Sequence, residues 1–172
     1  MKPPFQHVYD LADLSAAGAE VAIRPKADER AALARWVGVD DVAAFEGRVS
    51  LRKLSQTRFS YDAELSAEVV QACVVTLDPV RSRIARHFSR TLHLGQGPAA
   101  AREPVLVSPG DDESPEEIAS PRYDLAAPLI EELALEIDPY PRAAGVAFEP
   151  PGGDDEAEGS PFAVLKQLKK GP

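Results

Sequence analysis

Few residues in this chain have the types and spacing that chemistry requires. The single cysteine, Cys73, lies in the apolar run Val69–Val80, VVQACVVTLDPV. Nucleophile, metal ligand and core filler are its three possible roles. A reactive thiol needs an electropositive, partly exposed setting that favours the thiolate. An apolar strand face offers the opposite, so Cys73 reads as buried and chemically silent. The histidines His7, His87 and His93 are scattered and have no second cysteine near them. They do not make a zinc ligand set. The chain has no Gly-x-Ser-x-Gly elbow and no Gly-x-x-x-x-Gly-Lys phosphate loop. Glu131 and Glu132 are neighbours; on a helix they point about 100° apart, which suits a solvated face rather than a carboxylate pair. The sequence therefore assigns no catalytic residue, no metal and no cofactor.

Arg81, Arg83, Arg86 and Arg90, interleaved with His87 and Phe88, are the candidates for RNA contact. Guanidinium forks match phosphate oxygens, and a phenyl ring can stack on a base. The competing reading is a strand with charged residues that balance nearby acids and discourage edge pairing.

Charge is unevenly spread along the 172 residues. The total is −9, yet residues 47–102 carry nine basic and four acidic side chains. Residues 103–160 carry two basic and sixteen acidic ones. Overall acidity opposes non-specific RNA binding, while the basic middle could serve as a local footprint. The acidic stretch suits either a solubiliser or a shield for a basic partner. A lone cysteine fits a reducing compartment. The first residues do not read as a signal peptide, and no apolar run approaches the ~18 residues of a membrane span. A cytoplasmic protein is expected. Nothing here fixes its oligomeric state.

The elements that must position these residues follow from periodicity. Residues 4–11, PFQHVYDL, read as a short strand. Residues 28–37 read as a helix with Asp28 and Glu29 at its start and Gly38 after it. Residues 44–54 alternate as a strand. The clearest signal is 59–77, where nine of ten odd positions are apolar or aromatic. That period means strand. Nineteen residues would span roughly 60 Å, so a bend is expected near Ser66. The second half, apolar on both faces, should lie deepest. Asp78-Pro79 suits a turn, and residues 81–94 fit either helix or strand, the hairpin favouring strand. Residues 95–121, with five prolines, read as a long acidic loop. A helix follows over 125–135, with Asp124 as N-cap and Pro128 in its first turn. Residues 149–159 read as a flexible acidic linker. Residues 160–172, SPFAVLKQLKKGP, carry helix start and stop signals and an apolar stripe of Phe162, Leu165 and Leu168 beside Lys169. A helix this short needs a groove, on its own domain or on another molecule; these four are candidates for docking a partner.

Three stretches together carry a family resemblance. EVVQACVVTLDPV, RYDLAAPLIEELALEIDPYPRA and GSPFAVLKQLKK resemble the central strand, Asp-Leu helix and C-terminal signature of the YceD family of large ribosomal RNA accumulation proteins. The alphaproteobacterial branch is the most similar. The resemblance implies support for large-subunit rRNA synthesis or accumulation, without a catalytic mechanism. Many members carry Cys-x-x-Cys at the central turn and a His/Cys group after the helix. Here Thr76 holds the second cysteine position, and DPYPRAAGVAFEP has neither His nor Cys. Any metal site of those members could not form.

The expectation is an α+β domain over 1–148, with a mostly antiparallel sheet from 47–94, two covering helices, the long acidic loop and a tethered C-terminal helix. The expected function is non-enzymatic support of large-subunit rRNA accumulation and ribosome biogenesis. The alternatives are a chaperone or adaptor for a basic ribosomal protein and, third, an RNA-processing enzyme.

Overall fold

A computed structural model describes residues 3–95 and 115–147. The bulk of the anticipated acidic loop, the linker and the C-terminal segment with Phe162, Leu165, Leu168 and Lys169 lie outside the described residues. The elements run β1 (Val8–Asp10), a 3-10 turn, β2 (Ala19–Ile23), α1 (Ala27–Val37), β3 (Asp41–Lys53), β4 (Arg58–Ala72), β5 (Pro79–Leu94), β6 (Glu116–Ile118), β7 (Arg122–Asp124) and α2 (Ala126–Glu136). This is an α+β fold.

The main sheet has the order β2-β3-β4-β5-β6. All its pairings are antiparallel except β5 with β6, which is parallel. Strands β1 and β7 form a separate antiparallel pair. The predicted sheet core of 47–94 thus gains an edge on each side. Strand β6 falls inside the stretch read as loop; three residues carry too little local pattern, and pairing with Leu92–Leu94 is what makes them a strand.

Period-two alternation does its expected work in β4. Phe59, Tyr61, Ala63, Leu65, Ala67 and Val69 are buried, and so are Phe45, Val49 and Leu51 of β3. They share one core with Leu33 and Ala34 of α1 and with Leu125, Ala126, Leu129, Ile130 and Leu133 around α2. The opposite face of the sheet carries Arg48, Glu64 and His87 in one cross-strand row and stays exposed.

Helix α1 starts where the Lys26 N–H donates to Glu29 Oε2 at 2.7 Å. It ends at Gly38, whose φ of 78° lets its N–H reach the Ala34 carbonyl at 2.9 Å. Asp124 serves the start of α2 as expected: its carboxylate accepts from the Ala126 N–H at 3.1 Å and from the His7 N–H at 2.8 Å. The residue in the N-cap position is nevertheless Leu125, one later.

Two expectations about the 59–77 run are corrected. Its strand stops at Ala72, and its pairing with β5 is unbroken through Ser66; the irregularity lies between Val42 and Ala44 of β3. The second half is also not the deepest part. Val74 is 46% and Leu77 76% exposed, whereas the odd positions from Phe59 to Val69 are buried. The apolar residues after Ala72 belong to a turn, where alternation no longer reports burial.

Candidate functional site

Strand β5 positions the four arginines, as the hairpin reading required. A strand sends alternate side chains to opposite faces, so the arginines divide into two pairs. Arg81 and Arg83 lie on the open face, and both reach Glu68, at 2.8 and 3.6 Å. Arg86 and Arg90 lie on the helix-covered face. Arg86 Nε sits 3.3 Å from Glu132 Oε1 and 3.1 Å from Glu136 Oε1. Arg90 reaches Glu131 at 2.9 Å and Glu116 at 3.4 Å. Glu131 and Glu132 therefore clamp α2 to β5, which corrects their reading as a merely solvated face. Sequence reasoning identified the arginines but missed their acidic partners. The partners of Arg86 and Arg90 come from α2 and β6, remote in sequence, and no local spacing announces them.

Phe88 is half-buried. Its ring lies tilted against Tyr61 with centroids 6.0 Å apart, and the Arg90 guanidinium sits 5.8 Å from its centroid. The ring is thus engaged in packing rather than presented for stacking. Tyr61 is fully buried and donates to the Leu125 carbonyl at 2.9 Å. Burial pushes its hydroxyl above the ordinary tyrosine range. Tyr123 is raised likewise, by burial and by the nearby Glu116 carboxylate. His87 points to the open face and lines a shallow depression of about 510 Å³ with Glu20, Arg48, Ser50, Asp62 and Glu64. This surface mixes both signs of charge.

Cys73 occupies the turn between β4 and β5, not the strand, and is fully buried. Its burial comes from a remote segment. The Val74 N–H donates to the Pro141 carbonyl at 2.9 Å, the Ala143 N–H to Cys73 Sγ at 3.4 Å, and Gln71 Nε2 to the Asp138 carbonyl at 2.9 Å. Within the turn, the Leu77 N–H reaches the Cys73 carbonyl at 2.9 Å, and Leu77 adopts a φ of 65°, rare for a branched side chain. The thiol is thus ringed by donors. Hydrogen bonds from the Thr76 hydroxyl first, then from the Ala143, Thr76 and Val75 N–H groups, lower its pKa to about 6. Its inaccessibility agrees with the sequence reading. The donor-rich surroundings do not, because the apolar pattern carries no information about backbone N–H direction. Thr76, at the position of the second cysteine in the Cys-x-x-Cys pattern, turns its hydroxyl to the same sulfur. Among the described residues, no cluster of three or more His, Cys, Asp or Glu side chains is placed to hold a metal.

The family whose model matches this chain is described as large ribosomal RNA subunit accumulation protein YceD, and the match covers residues 61–169. The chain belongs to that family. The matched region takes in β4 from Tyr61 onward, the Cys73 turn, β5 and α2, so it contains both the arginine clamp and the buried thiol. No curated protein and no solved structure matches the chain. No described helix is long and apolar enough to cross a membrane.

Proposed function

We propose that this protein is a non-enzymatic factor that supports accumulation of large-subunit ribosomal RNA during ribosome biogenesis. The observation that carries this reading is the family match over 61–169. The described site chemistry supports it: the arginines are engaged with carboxylates, and Cys73 is closed off from substrates. The test is depletion of the protein in growing cells, with large- and small-subunit rRNA quantified. The large-subunit species should fall selectively and return on complementation. An unchanged ratio refutes the reading.

A second reading, an adaptor that shields a basic ribosomal protein, is favoured by the net charge of −9 and the sixteen acids of residues 103–160. On that reading, a basic ribosomal protein should co-purify after nuclease treatment. The C-terminal residues Phe162, Leu165, Leu168 and Lys169 are proposed to dock such a partner. Removing 160–172 should then abolish capture and leave the domain's Tm unchanged. A fall in Tm would make that segment structural instead.

A further inference from the structure

We propose that the β3–β4 hairpin, through Arg52, Lys53 and Arg58, contacts the phosphate backbone of RNA. The proposal deepens the rRNA reading and rests on it. From Gly47 through Tyr61 the chain has no Asp or Glu, yet it carries Arg48, Arg52, Lys53 and Arg58. Arg48 is taken up by Glu46 at 3.2 Å. The other three are exposed and have no acidic partner among the described residues. That sets them apart from the β5 arginines, each of which already holds one or two carboxylates. A phosphate must displace those carboxylates to bind β5, whereas among the described residues none pairs with the three hairpin cations.

The hairpin is also held in shape. The N–H groups of Leu54 and Ser55 both donate to the Arg58 carbonyl, at 2.9 and 3.1 Å. Ser55 Oγ accepts from the N–H groups of Thr57 and Arg58, at 3.3 and 3.1 Å. Leu94 ties the loop to β5 through the Thr57 carbonyl at 2.7 Å. Arg52 stands across from Ser60 and Arg58 across from His93, which places both guanidiniums on the open face of the sheet. Lys53 projects from the other side of the same ribbon. Asp62 is engaged by Ser60 and Glu117 by His93, so neither nearby carboxylate pairs with these cations. Three such cations on a hydrogen-bonded hairpin suit a polyanion, and the arginine forks suit phosphate in particular.

The test uses the full-length protein with labelled oligouridylate and a labelled RNA duplex, titrated across salt concentrations. The variant carries Arg52→Gln, Lys53→Gln and Arg58→Gln. A control removes the same charge elsewhere through Arg35→Gln, Arg122→Gln and Arg142→Gln, all exposed. The hairpin variant should lose affinity by ~10-fold or more at low salt, and its salt slope should fall by about 2 to 3. The control should keep the wild-type slope. Arg52→Lys with Arg58→Lys should also keep it, which separates charge loss from any folding defect. Wild-type binding of neither probe at low salt, an unaltered slope in the hairpin variant, or an equal loss in the control each overturns the proposal. The rRNA reading is tested separately by the cellular rRNA ratio, so hairpin contact can fail while that reading stands.

Discussion

Gly47 should not tolerate a methyl group, although it lies in the middle of a strand that would otherwise favour a larger residue. A Cβ built there falls 2.3 Å from Leu129 Cδ1, 3.3 Å from Cδ2 and 3.4 Å from Cγ. The end of the Leu129 side chain must shift to admit the methyl. Leu129 is fully buried in the face of α2. Gly47 is paired with Ile23 on one side and Leu65 on the other, so β3 cannot retreat without disturbing two ladders. Overpacking of this kind costs about 1–3 kcal/mol. Replacing glycine in a strand recovers roughly 0.5–1 kcal/mol through the unfolded chain. The net expectation for Gly47→Ala is a loss of about 1–2 kcal/mol. At an m-value of about 2 kcal/mol/M, the urea midpoint should drop by ~0.5–1 M. Leu129→Ala alone should cost about 2–5 kcal/mol by opening a cavity. In the double variant the new methyl fills part of that cavity, so the two changes should couple favourably by about 1 kcal/mol or more. A neutral or stabilising Gly47→Ala, or strictly additive effects, would refute the close-packing account.

Tyr61→Phe removes the buried bond to the Leu125 carbonyl and should cost about 0.5–1.5 kcal/mol, read as a lower urea midpoint with an unchanged m-value. Arg86→Gln with Arg90→Gln unfastens α2 from β5. Because Arg86 and Arg90 side chains are 49% and 29% exposed, each pair contributes at most about 1 kcal/mol, and the loss should shrink in high salt. A loss that persists undiminished would place their contribution in packing instead. For Cys73 the folded thiol pKa of about 6 lies below the ordinary range near ~8.5. The stabilisation this gives is present above the unfolded value and disappears as pH falls through the folded one. Relative to Cys73→Ala, the wild type should gain stability from pH ~6 to ~9, and a flat difference would contradict the ring of donors.

Residue order alone specified the strand character of β4, because period two over that length admits no other regular structure. It determined both helices through their end chemistry: Glu29 and Gly38 bracket α1, and the Asp124 carboxylate starts α2. It also carried the family signature, which is a property of residue order. What it left open has one physical cause: the missing information lay in partners far along the chain. The apolar run past Ala72 looked like more strand until the 138–146 segment closed over Cys73. The three residues of β6 acquired strand form only by lying along β5. Residue order does not mark Gly47, where Leu129 of α2 occupies the space a side chain would need. The four arginines formed one patch in sequence. The strand pleat divided them between two faces, and carboxylates from β4, β6 and α2 claimed each pair. Charge availability, unlike charge, is decided by tertiary neighbours. For that reason Arg52, Lys53 and Arg58, without a carboxylate partner among the described residues, stood out only once those neighbours were in place.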